Sequence, residues 1–372
     1  MTLITYLSRT HFADGVLEVA LSSELELNKL SKPLLLSEQG ATDTEFRERV
    51  VAGLPFWCEF QSHEIPKQND LQQAIERLQQ RLYETNADVI IAFGSSLALL
   101  AADACCRQFG QEKTESNNKN FLTCPKFFAI PGVDGIPIMS MRRNDAIRSH
   151  IESSGIQPTA VILDPTLIVG ETVERTSSAI ADTLARCLSA HFSDGYNPPA
   201  KGIALEGVKR IQRNLATLVE EDSLEMRREL MAASLNGTLA TQQESGIAQE
   251  LCKILLRNSS HYINKGALMR LLILVEAELL ELAWTTHRIK EVSDALGVPS
   301  GMKLRDWLSS IMENLPLPNS LSELGLSAAH IARAADEVTT GRSIVPSTEY
   351  LNDMLNSVEL GTRNRVAELE NG

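Results

Sequence analysis

The segment from Ala87 to Arg107 constrains the fold more than any other part of the sequence. In residues 87–93 (ADVIIAF) every residue except Asp88 is apolar, which is typical of a strand buried on both faces of a parallel sheet. A Gly-Ser-Ser turn follows at residues 94–96, and an alanine- and leucine-rich stretch then predicts a helix over residues 97–107. A strand, a glycine-containing turn and a helix in this order form the repeating unit of α/β proteins.

The flanking segments repeat this alternation. Further strands are predicted at Lys32–Ser37, Phe56–Phe60, Phe127–Ile130 and Ala160–Leu163, and helices between them at Thr42–Val51 and Leu71–Tyr83. The polar stretch at residues 110–120 predicts a surface loop. Alternating strands and helices predict a doubly wound parallel sheet with helices on both faces.

The pattern changes after Asp164-Pro165, where helical periodicity replaces strands. Helices are predicted at Glu171–His191, Pro199–Val219, Ser223–Ala240, Ala267–Leu282, Ile289–Leu296, Met302–Glu313, Ser327–Val338 and Ser347–Val358. The sequence therefore predicts two domains. Residues 1–164 would form a Rossmann-like domain with a parallel sheet, and residues 165–372 an all-helical domain.

Charge and composition exclude several classes of protein. There are 35 Lys and Arg against 48 Asp and Glu, a net charge of −13, which argues against nucleic acid as the main partner. Apolar runs such as Leu271–Val275 are far shorter than a membrane-spanning helix, so we expect no membrane partner. The first residues lack the basic segment of a secretory signal, and the six cysteines include no CxxC pair. Reduced thiols and a cytoplasmic location are expected.

Gly94, Ser95 and Ser96 are candidate phosphate-binding residues. Glycine allows close approach of a backbone to a phosphate, and the N–H groups of the following helix favour anionic oxygens. The alternative is a tight turn in which a serine caps the helix.

Several segments, taken in order, resemble the group-III, iron-containing alcohol dehydrogenase family, which includes the maleylacetate reductases. Ala87–Ala102 lies where that family has a strand, a G-G-G-S turn and a helix. The other similar segments are Thr10–Leu17 (the opening F-G-x-G-x-L hairpin and turn), Ala129–Gly135 (I-P-T-T-x-G-T), Ala160–Leu167 (V-x-x-D-P-x-L), Gly297–Pro299 and Ser320–Leu326 (L-G-x-P … L-x-E-L-G-x).

The resemblance implies a dehydroquinate synthase-like architecture, in which a Rossmann-like domain precedes a helical one. It also implies an NAD(P)-dependent enzyme that acts on a small carbonyl compound or alcohol and forms a homo-oligomer, usually a dimer. The cofactor-binding positions that it implies are Gly94, Ser95, Ser96, Gly132 and Gly135.

The metal-binding positions depart from the family pattern. Members hold a divalent metal with one Asp and three His, and the first pair lies in G-M-D-x-x-x-H. Here Asp182 matches the aspartate, but Arg186 stands in place of the histidine. The stretches that match the other two histidines, residues 247–255 and 263–266, contain none, although His261 lies a few residues away. One carboxylate does not hold a divalent cation, and arginine is not a ligand, so we expect no metal.

Asp182 and Arg186 lie one helical turn apart and are expected to meet. Either the guanidinium supplies positive charge where the metal would lie, or the two form an ordinary ion pair. We take Asp182, Arg186 and His261 as candidate catalytic residues. Lys253 and Lys265 are further candidates for stabilising an alkoxide.

The nucleotide loop also departs from the family. Ala92 and Phe93 replace two glycines, and Phe93 is expected to crowd a pyrophosphate, while Asp134 would repel one. Three hypotheses remain. The chain is a metal-independent NAD(P)-dependent oxidoreductase, a catalytically degenerate member (a pseudoenzyme) that binds a ligand or a partner subunit, or a lyase or cyclase of the dehydroquinate synthase type.

Overall fold

The structure is a computed structural model. It describes residues 9–40, 44–66, 71–115, 125–133, 135, 158–193, 195–241, 246–259, 263–282, 286–339, 347–358 and 360. The described residues up to Glu171, together with Ser223–Met231, form one compact unit, which we call the sheet unit. Thr172–Asp222 and the described residues from Ala232 onward form the other, which we call the helical unit.

The sheet unit contains a six-stranded sheet in the order β1-β6-β5-β4-β2-β3, and every neighbouring pair is parallel. This confirms the predicted parallel α/β architecture. The elements are β1 (Arg9–Phe12), α1 (Leu17–Asn28), β2 (Pro33–Glu38), α2 (Thr44–Ala52), β3 (Gln61–Ile65), α3 (Leu71–Thr85), β4 (Val89–Gly94), α4 (Ser96–Glu115), β5 (Lys126–Pro131) and β6 (Ala160–Leu163). A 3₁₀ turn at Pro165–Ile168 follows β6.

Helices cover the sheet on both faces, since neighbouring residues of the central strands pack into different cores. Ala92 belongs to a core formed with α3 and α4, whereas Phe93 belongs to one formed with α1 and α2. Successive side chains of a strand point to opposite faces, so a strand with both faces covered must be apolar throughout. The continuous apolar run of β4 has this origin.

Three sequence predictions in the sheet unit were wrong. The strand predicted at Phe56–Phe60 lies at Gln61–Ile65 instead, and Phe56 is 97% exposed in the preceding turn. Aromatic residues favour strands because strands offer them a packed surface, and this segment offers none. Helix α4 continues to Glu115 through part of the predicted loop. The predicted opening hairpin contains β1, which pairs in parallel with β6, and α1 was not predicted at all.

The helical unit is built from nine described helices. They are α5 (Val173–Phe192), α6 (Pro198–Glu220), α7 (Leu224–Thr241, whose first turns belong to the sheet unit), α8 (Ile247–Asn258), α9 (Lys265–Leu282), α10 (Thr286–Leu296), α11 (Leu304–Met312), α12 (Ala328–Thr339) and α13 (Thr348–Ser357). The sequence predicted eight of these helices to within a few residues and missed α8. Within the described ranges, no helix combines the length and apolar character needed to cross a membrane.

Candidate functional site

The loops after β4 and β5 in the sheet unit contain the predicted cofactor-binding glycines. Gly94 ends β4 with a φ of 84°, a conformation that favours glycine. The N–H of Gly132 donates to the Gly94 carbonyl oxygen at 2.7 Å. A Cβ on Gly135 would lie 2.9 Å from that same oxygen and 2.7 Å from the Leu99 side chain. The structure therefore brings the three glycines together, where they let the two loops pack against each other.

Ser95 caps helix α4. Its Oγ accepts a hydrogen bond from the N–H of Ala98 at 3.4 Å, and the residue is buried. Ser96 is the first residue of α4. The serine-capped turn is thus present, and phosphate binding at this turn stays a prediction. The ring of Phe93 lies in the core, with its centroid 5.7 Å from that of Phe46, and the expected crowding of a pyrophosphate stays a prediction. Asp134 lies outside the described residues.

Asp164, at the carboxyl end of β6, is a buried carboxylate with a full set of donors. It accepts hydrogen bonds from the N–H groups of Gly15 (2.8 Å), Leu17 (3.1 Å) and Thr166 (3.0 Å), and from the hydroxyl of Thr166 at 2.6 Å. Arg49 donates at 2.9 Å. Burial alone would raise the pKa of Asp164, but the bonds from Thr166, Gly15 and Leu17 outweigh it and lower the pKa.

Arg49 extends this network over the carboxyl end of the sheet. Its guanidinium also binds Glu18 at 2.7 Å and the Thr166 hydroxyl at 2.6 Å. The first turn of α1, helix α2 and the turn after β6 are thereby fixed to one another. The Asp-Pro motif of the sequence has a structural role here.

Asp182 and Arg186 meet on α5 in the helical unit. The guanidinium donates to Asp182 Oδ2 at 2.8 Å, and both side chains are buried. Burial alone would raise the pKa of Asp182, but the positive charges of Arg186 and Lys265 outweigh it and lower the pKa. The predicted contact between the two residues is confirmed, and its functional role stays a prediction.

Lys265 brings a second cation to the same carboxylate from the start of α9. Its Nζ lies 3.6 Å from Asp182 Oδ1. The side-chain oxygen of Asn264 accepts from the Ala267 N–H at 3.0 Å and from the Ser178 hydroxyl at 2.8 Å, which caps α9 and ties it to α5. The pKa of Lys265 is lowered, first because the surrounding protein disfavours its charge and then because Arg186 is positive.

Glycines permit the close helix packing around this cluster. A Cβ on Gly266 would lie 2.0 Å from the Ser178 carbonyl oxygen, so α9 reaches α5 only with glycine at this position. A Cβ on Gly237 of α7 would lie 3.2 Å from the Cδ atom of Arg186. At the start of α8, a Cβ on Gly246 would lie 2.1 Å from Glu276, which accepts from the N–H groups of Ile247 and Ala248.

The two remaining candidates are His261 and Lys253. His261 lies outside the described residues, and Lys253 is a partly exposed residue of α8. Burial raises the pKa of the neighbouring Cys252 thiol to about 12, which leaves it uncharged. In the part of the chain that the structure describes, no three His, Cys, Asp or Glu residues come together as a metal site.

Sequence reasoning treated Lys265 as one of several candidate cations and did not place it beside Asp182. A signal for its position existed. Asn264 is a good helix cap, and the Asn-Lys-Gly triplet lies directly before the apolar run of α9. The pattern marks a helix start, but only the fold shows that this start faces α5.

Comparison with known proteins supports the family resemblance. No family model matches the chain. A 4-hydroxybutyrate dehydrogenase from Cupriavidus necator is 24% identical over 350 residues, which cover 88% of this chain and 90% of that protein.

Solved structures of related enzymes share the fold over nearly the whole chain. An iron-containing alcohol dehydrogenase from Corynebacterium glutamicum has a TM-score of 0.75 at 16% identity, covering 97% of this chain and 98% of its own. A maleylacetate reductase from Agrobacterium tumefaciens scores 0.74 at 17% identity (96% and 99% covered). A sulfoacetaldehyde reductase from Bifidobacterium kashiwanohense, solved with NAD⁺, scores 0.77 at 16% identity (96% and 99% covered). The chain therefore has the fold of the iron-containing alcohol dehydrogenases and maleylacetate reductases, and its sequence is similar, at low identity, to that of a 4-hydroxybutyrate dehydrogenase.

Proposed function

We propose that this chain is an NAD(P)-dependent oxidoreductase that interconverts a small carbonyl compound and its alcohol without a bound metal. The observation that carries the proposal is the alignment with a 4-hydroxybutyrate dehydrogenase over about nine-tenths of both chains. Similarity over nearly the whole length of both chains supports a shared activity more strongly than a match to one segment would.

The loops after β4 and β5 are the proposed cofactor site. Parallel sheets of this kind bind ligands outside the carboxyl ends of their strands, where Gly94, Gly132 and Gly135 lie. The start of α4, with Ser95 and Ser96, offers N–H groups and a helix dipole to a phosphate. A solved neighbour that contains NAD⁺ supports this assignment.

The residues around Asp182 do not fit the divalent metal that the family implies. Such an ion needs three or four donor ligands. Within the described residues, the charged groups beside the Asp182 carboxylate are the guanidinium of Arg186 and the ammonium of Lys265. Arginine cannot ligate, and two fixed positive charges repel a third. In the proposed reaction, these two cations take over the stabilisation of negative charge.

The chemistry then divides between the cofactor and the chain. When bound, the nicotinamide supplies or accepts the hydride. The chain orients the substrate and stabilises the negative charge that develops on the carbonyl oxygen. Of the candidate catalytic residues, Asp182 and Arg186 form the ion pair beside Lys265, which we call the cluster. A role for His261 stays a prediction.

The second hypothesis, a degenerate member that binds a ligand or a partner, has one specific observation in its favour. The Ser95 cap and the packing of Gly132 and Gly135 against Gly94 account for these residues without any phosphate. The lyase or cyclase hypothesis has no comparable observation behind it.

The deciding experiment is a titration of the metal-stripped protein with NADH and NADPH, followed by thermal unfolding and calorimetry. A ligand at a hundred times its Kd stabilises the folded state by about 2.7 kcal/mol. We expect a shift with a nucleotide and none with Zn²⁺ or Fe²⁺, and oxidation of 4-hydroxybutyrate or related alcohols without added metal. Metal-dependent turnover would refute the metal-free mechanism. Failure to bind either nucleotide would refute the proposed oxidoreductase activity and favour the hypothesis of a degenerate family member.

We also propose that the chain acts as a homodimer in the cytoplasm. Strand β3 is an edge of the sheet and offers unpaired backbone groups to a second copy. Size-exclusion chromatography with light scattering tests the dimer.

A further inference from the structure

We propose that Lys265 binds the substrate oxygen that becomes negatively charged and gives it its proton, while Asp182 orients the ammonium and Arg186 supplies supporting positive charge. This inference rests on the proposed oxidoreductase function and names the group that completes its reaction. It also defines the ligand chemistry of the cluster, which takes an oxygen anion rather than a metal cation.

Two cations lie beside one carboxylate. Among the described residues, Arg186 and Lys265 each bring a positive charge to Asp182. Lys265 is also the first residue of the 18-residue helix α9, whose amino end carries a partial positive charge. An alkoxide bound here would place a negative charge beside these two cations.

The hydrogen bonds of the cluster are unsaturated as well. Asp182 Oδ2 accepts from Arg186 at 2.8 Å, but the buried Oδ1 accepts no hydrogen bond from any described residue. The Nζ atom of Lys265 lies 3.6 Å from that oxygen, beyond an ordinary hydrogen bond. An ammonium has three N–H donors, and Asp182 is the only partner found for it within the described ranges. At least one donor therefore stays available to a ligand.

Access distinguishes the two cations. The Lys265 side chain keeps 39% of its area open to solvent, whereas Arg186 keeps 8% and Asp182 keeps 6%. A small molecule therefore reaches the lysine, and the arginine acts from behind it through its charge. Because Asp182 and Arg186 are buried in their ion pair, Lys265 is the one group of the three that can contact a substrate.

The position of Lys265 costs stability, as functional groups often do. A cation in the first turn of a helix is unfavourable, because the amino end of the helix carries a partial positive charge. The positive charge of Arg186 disfavours the Lys265 ammonium further. Asn264 and Gly266 nevertheless hold the start of α9 against Ser178.

The proposed step balances as follows. The nicotinamide of NAD(P)H transfers a hydride, with its two electrons, to the carbonyl carbon, and the π electrons of the C=O bond move to the oxygen. That oxygen takes a proton from the Lys265 ammonium, which leaves an alcohol, a neutral lysine and NAD(P)⁺. Water then returns a proton to the lysine. In the oxidation direction the neutral lysine removes the proton of the alcohol.

The test compares Lys265→Met and Lys265→Arg with Lys290→Met, which removes an exposed lysine of α10 as a matched control. Butyrate serves as a stable oxygen anion, and calorimetry measures its affinity without any turnover. We expect Lys265→Met to weaken the binding of butyrate at least tenfold and to lower kcat for carbonyl reduction by about 100-fold to 1000-fold. The Kd of NADH should change less than twofold.

The conservative variant separates charge from proton transfer. Lys265→Arg keeps a positive charge, so butyrate affinity should be retained, but arginine does not give up a proton at these pH values and kcat should stay low. In the wild type, kcat for reduction should fall as pH rises through the pKa of Lys265, and this alkaline limb should be missing in Lys265→Arg.

The outcomes distinguish this inference from the proposed function. Wild-type activity together with unchanged kcat and butyrate affinity in Lys265→Met would overturn the role of Lys265 and leave the oxidoreductase standing. No nucleotide binding or turnover in the wild type would refute the oxidoreductase. Butyrate binding that depends on Lys265 would then still support the anion site. Should Lys265→Met unfold, Lys265→Arg decides through the pH profile, since a full alkaline limb in that variant refutes the proposal.

Discussion

Asp164 in the sheet unit and Asp182 in the helical unit are both buried carboxylates whose pKa is lowered. They differ in how their oxygens are used. Five donors, three of them backbone N–H groups, surround Asp164, whereas one guanidinium binds Asp182 and an ammonium lies 3.6 Å from its second oxygen. The saturated carboxylate has no capacity for a ligand. The unsaturated carboxylate has an oxygen without a hydrogen bond from any described residue, and the cations Arg186 and Lys265 lie beside it.

The largest expected effect tests Asp164 as a structural residue. Asp164→Ala should lower the free energy of unfolding by about 3–5 kcal/mol, because it removes the acceptor of three backbone N–H groups and one of the acceptors of Arg49. Urea unfolding at pH 7 measures the loss. A cost under about 1 kcal/mol would contradict the structural role.

The lowered pKa of Asp164 also predicts how the free energy of unfolding changes at acid pH. Because the pKa of Asp164 is lower in the folded state, its contribution is present above the unfolded pKa of about 3.9 and is lost as pH falls through the folded pKa. The stability difference between the wild type and Asp164→Asn should therefore shrink as pH falls below about 4. A difference that stays constant in acid would show that the carboxylate charge is not what matters.

Asp182→Asn should cost less stability and more activity. We expect a loss of about 1.5–3 kcal/mol from the missing charged hydrogen bond, and a fall in kcat of about 100-fold because Lys265 loses its orienting partner. Chemical unfolding and steady-state kinetics of the same preparation give both values. The comparison of the two carboxylates fails if Asp182→Asn proves more destabilising than Asp164→Ala while activity survives.

Gly135→Ala should disturb the loops after β4 and β5. Its methyl group would lie 2.9 Å from the Gly94 carbonyl oxygen and 2.7 Å from Leu99, which we expect to cost about 1–3 kcal/mol and to weaken NADH binding. Gly202→Ala is the matched control, because Gly202 lies in α6 with open space around its Cα. That control should be neutral or stabilising by about 0.5–1 kcal/mol. Equal effects of the two variants would refute a packing role for Gly135.

Ser95→Ala should have the smallest effect. The capping bond to Ala98 is long, at 3.4 Å, so we expect a loss of about 0.5–1 kcal/mol. Nucleotide titration separates the two interpretations of this serine. An unchanged Kd for NADH means that the residue only caps α4, whereas a tenfold weaker Kd means that it also contacts the cofactor.

Most of the fold was predictable because buried parallel strands and amphipathic helices leave strong periodic patterns. The misses have physical reasons. Leu17, Leu21 and Leu25 mark α1 at helical spacing, but no helix is predicted there, since the likeness to the family's opening hairpin ends at Leu17. Ile247, Leu251 and Leu255 mark α8 in the same way, but this stretch was interpreted only as a search for metal ligands.

The candidate site was predictable only within one helix. Asp182 and Arg186 are four residues apart, so spacing alone brings them together on α5. Lys265 belongs to another helix, and its contact with Asp182 depends on a Gly266 close enough to touch Ser178. Sequence patterns do not contain contacts between helices distant in the chain. The lysine could therefore be nominated as a candidate but not placed.

The pairing of β1 with β6 has a consequence for how the protein is made. Arg9–Phe12 aligns with Ala160–Leu163, and the Asp164 carboxylate that secures this corner bonds to Gly15, 149 residues earlier. Closing so long a stretch of chain is entropically costly and slows folding. On the ribosome, the first strand must wait until the last has been synthesised. We expect nascent chains that stop before residue 160 to lack an edge of the sheet and to depend on chaperones.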